Sequence, residues 1–226
     1  MEGMLRVINL GPVPFDPAVR VQKECLSASL DSPGVHSLIF CSHQPVITCG
    51  TAHRASDILA DYQTLKGMNI SVRQVNRGGG VSYHGLGQIT VYPVFNLCCL
   101  KRDIGWFISR LEECVTVFLA GFGVDSGRKE GFPGVWTGNR KICSIGVAFS
   151  RWVSFHGLSV NIRKEDMLAY SLIRPCGMDI KMTCLEDEAP QAAACDYAGM
   201  VTVLLQSFMK VFWPQGIRTE EIRKCL

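Results

Sequence analysis

Residues 134–146 read GVWTGNRKICSIG, and this stretch decides the fold class. Gly138-Asn139 is a tight-turn signal that stands between the apolar pair Val135-Trp136 and the apolar run from Lys141 to Phe149. The stretch therefore predicts a β-hairpin. The next polar pair, Ser150-Arg151, predicts a second hairpin whose return strand ends near Asn161.

The rest of the chain mixes short strands with longer helices. Short apolar runs predict strands over 5–10, 36–41, 46–48, 70–75 and 89–93. Asp16 and Pro17 predict a helix start, with the Asp16 side chain as cap, and the helix is expected to run to about Ser29. Helical spacing predicts further helices over 104–122 and 197–212. Strands outnumber helices and come in hairpins, which favours one α+β domain over residues 1–226, with a mixed sheet and flanking helices.

The composition excludes several classes of protein. Hydrophobic residues make up 47% of the 226 residues and charged residues 19%, as in ordinary globular proteins. The net charge is only +3, and Lys and Arg do not cluster with aromatic residues, so no nucleic-acid partner is expected. The apolar runs are too short to span a bilayer, so no membrane association is expected either.

The eleven cysteines do not form a disulfide pattern, because their number is odd, Cys98 and Cys99 are adjacent, and no C-x-x-C pair occurs. Cys41 and His43 lie close together, but no nearby residues complete a zinc site. The cysteines thus indicate a reducing compartment. We expect the cytoplasm, with the mitochondrial matrix as the alternative.

Three segments contain residues suited to catalysis or binding. Residues 77–88, RGGGVSYHGLGQ, let the backbone approach a ligand closely, although their spacing fits neither a phosphate loop nor a dinucleotide site. The alternative is a hairpin loop built from glycine for steric reasons. Lys141 begins an apolar strand, where desolvation favours a role as base; the alternative is an exposed turn lysine. Cys176 lies between Pro175 and Gly177, a context that suits a nucleophile, although a packing cysteine is the alternative.

Two histidines are further candidates. His84 and His156 each precede a glycine, and we expect both at strand ends or in loops that face a common cleft. A single such histidine is more often structural, but two together favour a site.

Taken together, these segments resemble the octanoyltransferases of lipoic acid synthesis. The family pattern has an Arg-Gly-Gly stretch leading to Tyr-His-Gly and Gly-Gln, an Arg-Lys-Ile strand, a His-Gly step before a strand ending in Asn, and a Pro-Cys-Gly triplet. Here these correspond to residues 77–88, 140–146, 156–161 and 175–177. Leu86 replaces the usual proline of the first loop, and Gly80 stands where many members carry glutamine.

The resemblance implies a fold of the biotin/lipoate-protein ligase type and a catalytic dyad of Cys176 and Lys141, with no cofactor and no metal. It implies octanoyl acyl carrier protein as donor. The implied acceptors are a lysine on the lipoyl domains of 2-oxoacid dehydrogenase complexes and on the glycine cleavage H protein. The enzyme is expected to be a monomer. The implied substrate-binding residues are Arg77, Gly78, Gly79, Gly80, Val81, Ser82, Tyr83, His84, Ser144, Ile145, Gly146, Gly157, Leu158 and Ser159.

The expected mechanism passes through a thioester on Cys176, with Lys141 as its proton partner. Apolar residues around Val147 and Leu158 are expected to line the acyl channel, and backbone N–H groups near Gly78–Gly80 or beside Cys176 are expected to hold the oxyanion. Two alternatives stay open: an ATP-dependent lipoate- or biotin-protein ligase, and a non-catalytic relative that binds lipoyl domains or acyl carriers.

Overall fold

The computed structural model describes residues 3–175 and 180–223. Cys176 and Gly177, on which the predicted nucleophile depends, lie outside the described residues.

The described residues form two β-sheets. The strands are β1 (Met4–Val13), β2 (Val35–His43), β3 (Val46–Cys49), β4 (Ser71–Gln74), β5 (Val81–His84), β6 (Gln88–Val94), β7 (Gly134–Thr137), β8 (Arg140–Ser150), β9 (Val153–Asn161), β10 (Lys181–Met182) and β11 (Arg218–Arg223). The large sheet has the order β10-β8-β9-β6-β2-β1-β11, with β7 also paired to β8, and the small sheet has the order β4-β3-β5.

The large sheet is mixed, as predicted. β1 is parallel to β2 and β11, and β10 is parallel to β8. The pairs β2–β6, β6–β9, β8–β9 and β7–β8 are antiparallel. Both predicted hairpins are present: β7–β8 turns at Gly138-Asn139, and β8–β9 turns at Arg151-Trp152, where φ is 49° and 67°.

Helices cover both faces of the large sheet. They are α1 (Phe15–Asp31), α2 (Tyr62–Gly67), α3 (Ile104–Ala120), α4 (Leu185–Glu188) and α5 (Tyr197–Phe212), and 3-10 turns occupy Ala55–Asp57, Lys164–Leu172 and Pro190–Ala194. The apolar stripes of α3 and α5 pack with Leu38 and Phe40 of β2, while α1 packs on the opposite face with Ile39. The sheet is therefore buried on both sides, and this explains the continuous apolar character of β2. The α+β prediction, with one domain and flanking helices, is confirmed.

Two details of the first elements differ from the prediction. β1 does not end at Gly11 but passes through it by a bulge, in which Gly11 has a φ of 61° and its N–H donates to Asn9 Oδ1 at 3.0 Å. The predicted cap Asp16 is wrong, because α1 already begins at Phe15. The Asp16 carboxylate instead pairs with Arg73 Nη2 at 3.2 Å, and this pairing joins α1 to the small sheet.

Candidate active site

A cavity lies where the glycine-rich loop and β5 of the small sheet meet β6, β8 and β9 of the large sheet. Its empty space is about 560 Å³ when the open mouth is included. Eleven of the predicted substrate-binding residues line it: Arg77, Gly79, Val81, Ser82, His84, Ser144, Ile145, Gly146, Gly157, Leu158 and Ser159. The structure thus brings together three segments that are distant in sequence.

The other three predicted substrate-binding residues, Gly78, Gly80 and Tyr83, are not among those that line the cavity. The N–H of Gly78 donates to Val147 O at 2.9 Å, and Gly80 O accepts from Gly50 N at 3.1 Å. The Tyr83 hydroxyl donates to Asp166 Oδ1 at 3.1 Å, within the core of the small sheet. Because the Gly78 N–H is already paired with Val147, it does not serve as the expected oxyanion donor in this arrangement.

Arg77 holds the glycine-rich loop in place. Its guanidinium is buried; Nη2 donates to Thr48 O at 2.9 Å and to Thr48 Oγ1 at 2.8 Å, and Nη1 donates to Gly78 O at 3.0 Å. The loop also packs tightly, because a Cβ on Gly50 would lie 2.3 Å from Gly79 O. Glycine at position 50 is thus required by close approach to the backbone of the loop. Approach of the loop to a ligand stays a prediction.

His84 and His156 both face the cavity, which confirms the expectation of a common cleft. His84 ends β5, and its Nε2 lies 3.3 Å from Thr48 Oγ1. His156 is not at a strand end but inside β9, with a φ of 56° and its Nε2 3.0 Å from Asn76 Oδ1. Burial is the main cause that lowers the pKa of His84 well below its usual range and the pKa of His156 to about 4. Both rings are therefore neutral near pH 7.

The cavity also includes residues that the sequence analysis missed. Phe15, Thr48, Thr90, Tyr92 and Pro175 line it. His43 lies behind them: its Nε2 is 2.7 Å from the Tyr92 hydroxyl, and burial lowers its pKa to about 4. The alternation along β6 would have put Thr90 and Tyr92 on one face, but only the tertiary structure shows that this face meets the cavity.

Lys141 is buried, with 2% of its surface exposed, so the alternative of an exposed turn lysine is wrong. Its ammonium lies 5.4 Å from the centroid of the Trp136 ring. Gly134 makes room for it, because a Cβ there would lie 2.5 Å from Lys141 Cε. The Gly134 N–H donates to the buried carboxylate of Glu112 at 3.0 Å, which holds β7 at this distance.

Described residues on the two sides of Cys176 in sequence lie near different parts of the proposed site, the cavity and Lys141, and Lys141 is not among the residues that line the cavity. Pro175 lines the cavity. On the other side, β10 pairs with β8, so that Met182 is in register with Lys141 and Thr183 N donates to Lys141 O at 3.0 Å. The relative position of Cys176 and Lys141 stays a prediction.

Within 3–175 and 180–223, no three His, Cys, Asp or Glu side chains gather closely enough to hold a metal ion. No helix in the same part of the chain has both the length and the apolar character needed to cross a bilayer.

Solved structures of low sequence identity share the fold. A bipartite lipoate protein ligase from Thermoplasma acidophilum aligns with a TM-score of 0.75 at 17% identity, over 98% of this chain and 88% of that one. A biotin protein ligase from Leishmania major aligns with a TM-score of 0.56 at 11% identity, over 91% and 73% of the two chains. These similarities confirm the predicted fold of the biotin/lipoate-protein ligase type.

Proteins that are similar in sequence indicate the family of the chain more narrowly than the fold does. An octanoyltransferase from Desulfovibrio desulfuricans is 34% identical over 92% of this chain and 87% of its own. The mitochondrial octanoyl-[acyl-carrier-protein]:protein N-octanoyltransferase of Danio rerio is 33% identical over 92% of each chain. The model of the lipoyl protein ligase A/B catalytic domain matches residues 16–209. The chain therefore belongs to the lipoyl protein ligase A/B catalytic domain family, within which it groups with the octanoyltransferases.

Proposed function

We propose that this chain transfers an octanoyl group from octanoyl acyl carrier protein to a lysine of a lipoyl domain, through a thioester on Cys176. The observation that carries the proposal is the 34% identity, over 92% of the chain, to a protein named octanoyltransferase. The cavity supports it, because eleven of the residues implied by that family line one space.

The chemistry of the cavity suits an uncharged acyl chain. Leu158, Val81 and Phe15 supply apolar surface, and His84 and His156 stay neutral because burial lowers their pKa values. Each buried methylene of the chain contributes about 0.8 kcal/mol. An octanoyl group is thus held without a charged anchor.

Cys176 and Lys141 would divide the reaction into two steps. The Cys176 thiolate attacks the donor thioester carbonyl, and the carrier thiol leaves with a proton from the Lys141 ammonium. The neutral acceptor amine then attacks the Cys176 thioester, an amide forms, and Lys141 takes the proton released by that amine. The thiolate–ammonium pair is restored, and no ATP is consumed.

The experiment that tests this is intact mass spectrometry of the protein mixed with octanoyl acyl carrier protein in the absence of ATP. One added octanoyl group is expected, absent in Cys176→Ala and reduced in Lys141→Ala. Cys98→Ala is the matched control, because Cys98 is an exposed cysteine remote in sequence from these segments, and it should retain the adduct.

The ligase alternative predicts a different outcome. A lipoate-protein ligase A has been solved with ATP bound and shares the fold at 17% identity, a level that supports the fold alone. If lipoyl domains were modified only with ATP and free acid, and no adduct formed, the transferase proposal would be wrong. If neither reaction occurred but lipoyl domains or acyl carriers bound, the chain would be the non-catalytic relative.

The remaining parts of the proposal concern partners and compartment. The lipoyl domains of 2-oxoacid dehydrogenase complexes and the glycine cleavage H protein are the proposed acceptors, and the enzyme is proposed to act as a monomer. The cytoplasm is the proposed compartment. The mitochondrial matrix is the alternative, because the Danio rerio relative is named as mitochondrial.

A further inference from the structure

Asn161, the last residue of β9, joins three segments of the chain through its buried side chain. Its Oδ1 accepts from Gln88 Nε2 at 3.0 Å and from the Tyr170 hydroxyl at 2.9 Å. Its Nδ2 donates to Thr183 O at 2.9 Å. Because both ends of the amide are occupied, the orientation of the side chain is determined by its partners.

The partners are themselves buried and connected. Gln88, the first residue of β6, also places its Nε2 2.9 Å from the Tyr170 hydroxyl and 3.2 Å from Tyr83 O. Gln88 and Tyr170 are 1% and 8% exposed. Gln88 Oε1 is buried without a hydrogen-bond partner among the described residues, whereas Gln88 Nε2, the Tyr170 hydroxyl and both ends of the Asn161 amide are paired. Hydrogen bonds of this kind away from water make the surrounding structure rigid. We name Gln88, Asn161 and Tyr170 the amide cluster.

The amide cluster contacts described residues on both sides of Cys176 in sequence. Tyr170 precedes residues 171–182, and Thr183 follows them. Thr183 N also donates to Lys141 O at 3.0 Å, so the same residue is tied to the strand of Lys141. The entry side has a second attachment, because Arg174 N donates to Asp57 O at 2.7 Å. The residues before Cys176 are therefore held by Asn161 and Asp57, and the residues after it are held by Asn161 and by the strand of Lys141.

We infer that Asn161 is a positioning residue, which holds Tyr170 before Cys176 in sequence and Thr183 after it, and so restricts where Cys176 lies relative to Lys141. The inference rests on the proposed function, in which Cys176 and Lys141 act together. Misplacing reacting groups by about 1 Å can reduce a rate by about a hundredfold. Loss of the Asn161 amide is thus expected to impair the chemical step more than donor binding.

The test compares Asn161→Ala with Ser154→Ala. Ser154 is a matched control on the same strand: it is fully buried, its hydroxyl donates to Pro93 O at 2.7 Å, and it accepts from Phe95 N at 3.0 Å. Asn161→Ala is expected to lower kcat for octanoyl transfer by about tenfold to a hundredfold, with KM for the octanoyl donor little changed. Ser154→Ala is expected to lower Tm but to leave kcat near that of the parent.

A second readout does not depend on turnover. The pH profile of Cys176 alkylation by iodoacetamide, followed by the mass of the Cys176 peptide, is expected to shift to higher pH in Asn161→Ala, because the thiolate would lose its held cation. Tyr170→Phe keeps the packing and removes one donor, so it is expected to shift the profile in the same direction by less. If Asn161→Ala does not fold, the alkylation profile of Tyr170→Phe tests the inference.

Three results would overturn the inference, and they can be told apart. Equal losses of kcat in Asn161→Ala and Ser154→Ala for equal losses of Tm would make Asn161 a stabilising residue only. An unchanged alkylation profile in both amide-cluster variants would have the same meaning. An octanoyl adduct that persists in Cys176→Ala would instead refute the proposed function, and the inference with it.

Discussion

At the residue scale, the described part of the chain buries four histidines, His36, His43, His84 and His156, each less than a tenth exposed. Burial is the main cause that lowers their pKa values, to about 4 in His36, His43 and His156. His36 is 2% exposed, and its Nδ1 accepts a hydrogen bond from Asn96 N at 3.2 Å. These rings keep the interior polar but uncharged.

The lowered pKa values predict a pH dependence of stability. A histidine with a pKa of 6.5 when unfolded and about 4 when folded binds more protons in the unfolded chain between these values. Its contribution is complete above pH 6.5 and is lost as the pH falls towards 4. The slope is up to about 1.4 kcal/mol per pH unit for each histidine. Asp166 acts in the opposite sense, because burial raises the pKa of its carboxyl.

Urea unfolding of the parent and of His36→Gln from pH 4 to pH 8 measures this dependence. His36 lies away from the cavity. Its replacement is expected to reduce the slope of the free energy of unfolding against pH, between pH 4 and 6.5, by the amount that corresponds to about one bound proton. At pH 8 the difference in the free energy of unfolding between the parent and His36→Gln reflects only the contacts that His36 loses. Parallel curves over the whole range would show that His36 does not titrate differently on folding.

At the scale of elements, the β7–β8 hairpin is built around Lys141. Gly134 has a φ of 131°, and a Cβ there would lie 2.3 Å from Cys143 O as well as 2.5 Å from Lys141 Cε. The tight-turn residue Gly138 also has a positive φ, 56°, but a Cβ there meets nothing within 4 Å. The two glycines of one hairpin thus differ in what a side chain would contact.

Gly134→Ala is expected to displace β7 from Lys141 and to lower octanoyl transfer by at least about tenfold, because the lysine must move. Gly138→Ala is the matched control, since it adds backbone strain of about 1 kcal/mol without a contact to Lys141. Steady-state transfer kinetics, with Tm measured in parallel, separate the two effects. Equal activity in the two variants would mean that the position of Lys141 does not depend on Gly134.

At the scale of the whole molecule, the strand of Lys141 and β11 lie towards opposite edges of the large sheet. β10 and β8 lie at one edge, and β11 closes the other by pairing with β1 from Met4 to Asn9. The Arg6–Glu220 ion pair at this edge, with an N–O distance of 3.3 Å, is exposed and adds little. The edge is therefore held mainly by the backbone ladder and by the packing of Ile222.

Deletion of residues 218–226 is expected to lower Tm by several degrees, because β1 becomes an edge strand that is paired with β2 alone. Formation of the acyl-enzyme is expected to continue at 25 °C, because the opposite edge keeps its contacts. Glu220→Gln is the control, since it removes the ion pair alone and should leave Tm nearly unchanged. Loss of the acyl-enzyme in a truncated protein that remains folded would show that the two edges are coupled.

Local sequence patterns predict the parts of the fold that depend on neighbouring residues. The two hairpins between 134 and 161 follow from turn signals between apolar runs, and the helix over Tyr197–Phe212 follows from its apolar spacing. The glycine-rich loop and Lys141 could be named as candidates because glycine permits close approach and a lysine within an apolar strand is unusual. Each of these inferences uses residues within a few positions of one another.

Strand pairings, side-chain partners and burial that involve residues distant in sequence are visible only in the tertiary structure. The parallel pairings of β10 with β8 and of β11 with β1 join segments that are short or polar and carry no strand pattern of their own. The partner of Asp16 is Arg73, and the partners of Asn161 are Gln88, Tyr170 and Thr183. The burial that neutralises His84 comes from both sheets, because the cavity that it lines lies between them. Desolvation and register are sums over contacts between remote parts of the chain, and local sequence does not contain them.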